Sequence, residues 1–217
     1  MTYGKEIVAA LILGASGWLA PPAALAGDAG MARPTHGDTG WMVRGRAVGV
    51  VPDEGGTTTI GGSPEIDNSI VPELDISYFF NKNLAVELVL GTTPHKAKLK
   101  NPNVDLGKVW LLPPTLLAQY HFDDGSAFKP YVGAGLNYTI FYNEDAPGGA
   151  VTSIKYDDSV GYALQAGVDY HYKGNWYLNL DVKKLWLDTD VSVNGGAIRG
   201  KVDIDPWLIG VGIGYRY

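Results

Sequence analysis

The last fifteen residues read DIDPWLIGVGIGYRY, and their alternation restricts the possible folds more than any other segment. One set of alternate positions holds Trp207, Ile209, Val211, Ile213, Tyr215 and Tyr217; the other holds Leu208, Gly210, Gly212, Gly214 and Arg216. Successive side chains of a strand point to opposite faces. One face is therefore wholly apolar with aromatics at both tips, while the other is small and polar. A strand with that outer face suits lipid, where aromatic girdles mark the two bilayer interfaces.

The pattern repeats upstream. Strands are predicted over residues 41–51, 69–80, 84–91, 108–122, 128–143, 158–172, 176–193 and 202–217. Residues 81–83, 123–127 and 173–175 have the length and composition of hairpin turns. The other connections, 52–68, 92–107, 144–157 and 194–201, are longer and carry Gly, Pro, Asp and Asn. Short and long connections alternate, as in a barrel with tight periplasmic turns and longer extracellular loops. An even strand number puts both ends of the barrel on the periplasmic side. The expected fold is all-β: an eight-stranded antiparallel transmembrane β-barrel over residues 41–217.

A soluble barrel or sandwich would place its apolar residues inside, and here the polarity is reversed. The apolar set includes Leu74, Ile76, Tyr78, Leu88, Leu116, Tyr120, Leu136, Tyr138, Leu164, Tyr172, Trp176 and Leu178, with Lys184 as its exception near an outer strand end, where a long side chain can snorkel. The opposite set carries both signs of charge: Arg44, Arg46, Glu73, Asp75, Glu87, His121, Asp169, Asp181, Lys183 and Arg216. A barrel of eight strands is only wide enough for side chains to fill, so these groups are expected to pair as a polar lumen network. Toward the long-loop ends the inward positions turn apolar: Val48, Val50, Val71, Val89, Leu111, Pro113, Phe141, Leu185, Leu187 and Leu208. A hydrophobic outer lumen suits a small apolar ligand. Packing of the barrel mouth beneath the loops is the alternative.

The N-terminus reads as a targeting segment. Lys5, an apolar run over 7–19 and the small-x-small triplet Ala24, Leu25, Ala26 predict a signal peptide over 1–26, cleaved after about Ala26. Residues 27–40 are expected to form a flexible tail. Beyond Leu25 no apolar run approaches the ~20 residues of a membrane-spanning helix. The chain has no cysteine, which excludes disulfides and thiolate metal sites, and its net charge of −6 gives no sign of a nucleic-acid partner.

Catalytic chemistry is not expected. No helix follows the alternating glycines of the last strand, so they make no phosphate loop. His121 and His171 sit among carboxylates and read as ion-pair partners rather than metal ligands. Ser77 faces inward without the context of a nucleophile. Asp188 and Asp190 read as a solvated loop end. No cofactor and no metal are expected.

Three segments, LPPTLLAQYHF (112–122), PYVGAGLNYT (130–139) and the terminal DPW…GYRY, resemble the outer membrane protein W (OmpW) family. The resemblance implies a monomeric barrel in the outer membrane of a Gram-negative bacterium, surrounded by lipid and lipopolysaccharide. It also implies a narrow channel associated with small hydrophobic compounds. The family usually ends in Phe; Tyr217 keeps the aromatic character expected of the signal read by the barrel assembly machinery. Pro113 and Pro114 cannot donate to a sheet ladder. They predict a local break in pairing and a lateral exit from the lumen to the bilayer. A structural, adhesive, phage-receptor or bacteriocin-receptor barrel is the competing expectation.

Overall fold

A computed structural model describes residues 39–101 and 103–217. The expected signal segment, and the expected tail up to residue 38, lie outside the described residues. Fifteen strands occur among the described residues: β1 (Gly40–Val51), β2 (Gly55–Thr58), β3 (Ser63–Ile66), β4 (Ser69–Phe79), β5 (Leu84–Gly91), β6 (Thr93–Lys100), β7 (Val104–Leu112), β8 (Thr115–His121), β9 (Phe128–Asp145), β10 (Ile154–Tyr156), β11 (Ser159–Lys173), β12 (Trp176–Trp186), β13 (Asp188–Val193), β14 (Ile198–Asp203) and β15 (Trp207–Arg216).

Eight of them close a barrel in the order β1, β4, β5, β8, β9, β11, β12, β15, and β15 pairs back to β1. Every pairing is antiparallel. The short turns form as their residues require. The Asn81 carboxamide oxygen accepts from the Asn83 and Leu84 amides, and Asp123 accepts from the Gly125 amide. Gly125 and Gly174 take positive φ, which glycine adopts without steric cost.

The wall is apolar on the outside. Leu74, Leu88, Leu116, Leu136, Leu164, Leu178 and Ile213 are all exposed. At the turn end, aromatic rings pair across strands: Trp41 with Tyr78 at 4.9 Å, Tyr120 with Phe122 at 5.0 Å and Trp176 with Tyr215 at 5.0 Å. Trp110, Trp186 and Trp207 lie toward the other end. Exposing this much apolar surface is costly in water and favourable in lipid.

Three predicted strands are interrupted, yet their registers run straight through the interruptions. Leu112 pairs with Ile140 and Thr115 with Asn137, so β7 and β8 are one stave crossing Pro113 and Pro114. Lys184 pairs with Trp207 and Asp188 with Asp203 in one register, crossing Leu187 on one side and 204–206 on the other. There Asp205 adopts positive φ, its carboxylate accepts from the Leu187 amide, and Leu187 O accepts from the Ile204 amide.

The long connections are more ordered than the composition suggests. Beyond the barrel rim, β3, β6 and β7 extend the wall from β9, and β2, β14, β13 and β10 form a second sheet. Their inward side chains, among them Val151, Ile154, Val191, Val193 and Val202, continue the apolar cluster of the upper lumen. The outer end of the barrel is capped by two sheets rather than left open beneath loose loops.

Candidate functional site

Alternation along β1 sets the order of the lumen from the turn end outward: Met42, Arg44, Arg46, Val48, Val50, all buried. The first layer is apolar. Met42, Phe79, Ala85 and Tyr177 pack together, and the Arg216 guanidinium lies 4.1 Å from the centre of the Phe79 ring. Arg216, expected at the charged base of the lumen, stands in this layer and stacks on Phe79.

The second layer is the charged plug. The Arg44 guanidinium makes a two-pronged contact with Asp169, Nε to Oδ1 at 3.1 Å and Nη2 to Oδ2 at 2.6 Å. Its Nη1 donates to Ser77 Oγ at 2.6 Å and to Glu87 at 2.8 Å. Arg46 donates to Asn179 at 2.7 Å, to Glu73 at 3.2 Å and to the Tyr131 hydroxyl at 3.2 Å, and its Nη1 lies 2.8 Å from Asp75. Lys183 sits 2.7 Å from Glu73 and 2.6 Å from Asp181. The plug thus joins three cations to five carboxylates. Neutral donors serve the surplus: Tyr131 donates to Asp181, Gln165 to both Glu87 and Asp181, and Asn179 to Asp169. Such ions are costly to bury singly and tolerable only as a satisfied network. His121 joins at the edge, with Nε2 3.1 Å from Gln119 and its ring stacked on Tyr131. Ser77 is a bridge between Arg44 and Glu87, not a nucleophile beside a base.

Glycines make room for this layer. A Cβ on Gly212 would fall 2.8 Å from Arg46 Cγ, and one on Gly214 would fall 3.0 Å from Arg44 Cγ. A Cβ on Gly167 would overlap the Tyr131 ring at 2.4 Å. Tyr131 is the chief member that sequence reasoning missed. Its parity points inward, but tyrosine in such a chain reads first as girdle; the glycine opposite it was the available signal.

The third layer is apolar. Val48, Val50, Val71, Val89, Leu111, Phe141, Leu185, Leu187 and Leu208 fall into one buried cluster. Pro113 does not; it lies half-buried in the wall. The layer is tightly filled. A void of about 30 Å³, room for a single water, lies among Val109, Leu111, Phe141, Tyr156 and Ile204. A second void of about 40 Å³ lies farther out, and both are lined by Pro64, Leu106, Val191 and Val202. Together they trace a narrow, mainly apolar path from the cap to Leu111.

Beside that path the wall has a seam. β5 pairs with β8 as far as Val89 and Thr115, and β6 pairs with β7 from Thr93 and Leu111 in the same register. Between them, residues 90–92 and 112–114 face each other without ladder pairing. Pro114 O accepts from the Tyr138 amide, so Pro114 faces β9 and the neighbouring Pro113 faces Gly91. On the lumen side the Asn137 carboxamide donates to Pro113 O, Pro114 O and Thr115 Oγ1 and props the prolines from within.

The OmpW family model matches residues 37–217. An uncharacterized outer-membrane protein of Sinorhizobium fredii is 48% identical over 185 residues, covering 82% of this chain and 80% of that protein. A dibenzothiophene metabolism operon protein of Pseudomonas aeruginosa is 30% identical over 164 residues, covering 72% of this chain and 76% of the relative. Among solved structures, the outer membrane protein OprG of Pseudomonas aeruginosa superposes with a TM-score of 0.79 at 32% identity, covering 84% of this chain and 97% of that one.

Proposed function

This chain belongs to the OmpW family of outer-membrane β-barrels, and from that membership we propose that it is a passive channel for small hydrophobic molecules. The polarity split of the lumen carries the reading. A membrane barrel gains nothing in folding from an apolar upper lumen, whereas an apolar solute gains a path lined mainly by aliphatic and aromatic side chains, with His95 and Thr189 among its few polar neighbours. The charged plug stands across that path at Arg44, Arg46 and Lys183. A solute that enters through the cap must therefore leave sideways, and the seam at Pro113 supports exit into the bilayer. The tight voids imply that the two cap sheets part to admit it. A relative named for a dibenzothiophene metabolism operon supports an apolar aromatic solute class.

The test is uptake of a small apolar aromatic by cells carrying Leu111→Asp or Leu208→Asp. Both positions line the upper lumen, so uptake should fall to the level of cells without the protein while the barrel stays folded in the membrane. Unchanged uptake in both variants would remove this reading. The filled upper lumen favours one competitor, a receptor barrel whose cap sheets bind phage, bacteriocin or host. In that case cap substitutions would abolish adsorption and uptake would never have depended on the protein. In either case the final strand, with Tyr215 and Tyr217 in ring contact at 4.9 Å, is the segment we assign to recognition by the assembly machinery.

A further inference from the structure

We propose that the outer face of the β6–β7 hairpin docks the phosphate groups of lipopolysaccharide in the surrounding outer leaflet. Strict alternation in β6 buries His95, Ala97 and Leu99 and exposes Lys96, Lys98 and Lys100. Lys108 of β7 is exposed and lies directly opposite Lys96. Like charges directly opposite one another destabilise an antiparallel pair. The cluster is not a by-product of general basicity, since the whole chain carries a net charge of −6. Folding alone gives no reason to place two lysines face to face.

Height along the wall identifies the partner. The pair below Lys96 and Lys108 on this face is Pro94 with Trp110. Trp110 is exposed, with its ring 6.3 Å from that of Tyr142, and marks the outer aromatic girdle. The lysine pair stands two residues beyond it, roughly 7 Å along the strand. That is the depth of the phosphates of a lipid whose acyl chains end at the girdle. Lys98 and Lys100 continue the row outward over about another 13 Å, toward the phosphorylated sugars. Lys100 is engaged by Glu65 at 2.6 Å. Glu65 and Asp105 flank Lys98 in register and Asp145 is opposite Lys108, but Glu65 accepts from Lys100 and Asp105 turns its carboxylate to the Gly107 amide. Among the described residues no ion pair holds Lys96, Lys98 or Lys108, so these three ammonium groups are available to a phosphate ligand.

The full chain, folded in zwitterionic detergent, would be titrated with fluorescent bis-phosphorylated lipid A and with its dephosphorylated form. The variant Lys96→Gln, Lys98→Gln, Lys108→Gln should bind bis-phosphorylated lipid A at least roughly tenfold more weakly than the parent. The parent should bind dephosphorylated lipid A as weakly as the variant does. Heat-modifiable gel mobility reports that the variant barrel is folded, and Lys155→Gln with Lys173→Gln, exposed lysines elsewhere, should leave the affinity unchanged. Equal affinity of variant and parent, or equal binding of the two lipids by the parent, overturns the proposal. So does a variant that loses heparin binding while keeping lipid A binding, which would give this face to a soluble polyanion.

Discussion

At the residue scale, small and large positions are matched across the lumen. Gly167 exists because Tyr131 lies against it, and Tyr131 is held by Arg46, Asn179 and Asp181. Gly167→Ala puts a methyl group into a ring that cannot move without breaking those bonds. Overpacking of this kind costs about 1–3 kcal/mol. Urea unfolding of the barrel in lipid vesicles should show that loss, whereas Gly45→Ala, where a Cβ meets open space, should show almost none. Arg44→Gln removes the partner of two buried carboxylates, Asp169 and Glu87. The expected loss is about 3–5 kcal/mol by the same measurement, because the carboxylates stay behind uncompensated. The charged members of the plug are legible in sequence, since a charge inside an alternating apolar segment has only one face to occupy. Neutral members such as Tyr131, Asn179 and Gln165 are not, because nothing in their type sets them apart from girdle or turn residues.

At the element scale, strand order and register follow from alternation, and interruptions do not. Residues 108–122 read as one strand because the parity of side chains runs unbroken through Pro113 and Pro114, and the structure keeps that parity. Residues 92–107 read as a loop because three lysines conceal the alternation of β6, whose inward partners are His95, Ala97 and Leu99. The seam gives a prediction about one missing donor. Pro113 faces Gly91, so Pro113→Val supplies the absent N–H to the Gly91 carbonyl. Stability in vesicles should rise by about 1 kcal/mol, the net value of an ordinary hydrogen bond, and uptake of an apolar aromatic should fall as the seam closes. Pro114→Val, which faces β9, should leave uptake nearly unchanged. The cap has its own pH dependence. His95 lines the inner void, and burial pushes its imidazole below the usual value, while its Nδ1 lies 3.1 Å from Asp67 O. A histidine depressed in the folded state contributes stability above its unfolded value near 6.5 and loses it as the pH falls below that. The protection factors of β6 and β7 amides, referred to the intrinsic exchange rate at each pH, should therefore fall as the pH drops below about 6.5, and His95→Phe should flatten that change.

At the scale of the whole molecule, three lumen layers and one seam set out the route we propose, and the seam lies at the outer edge of the plug. Gly91 and Pro113 stand beyond Glu87 and Gln119 on the same staves, and Glu73 is directly opposite Gly91, so a solute moving from the cap to the seam meets the outer edge of the plug at Glu73 without passing between Glu73 and Lys183. An axial route would instead have to cross that pair. Glu73→Ala with Lys183→Ala separates the two routes. The pair of substitutions removes one carboxylate and one cation joined at 2.7 Å, keeps the plug's net charge and thins it. Water can enter the space and serve Asp181 and Arg46. On a lateral route, uptake of an apolar aromatic should stay within about twofold of the parent, since the path only borders the plug at Glu73 and does not cross it. On an axial route, removing an ion pair that stands across the lumen should raise uptake well above that. The comparison is made at equal amounts of heat-modifiable barrel, so that altered folding yield does not enter, and with Leu111→Asp beside it as the variant that blocks the path above the seam. A strong rise in the double variant would overturn the lateral route while leaving the apolar upper lumen as the point of entry.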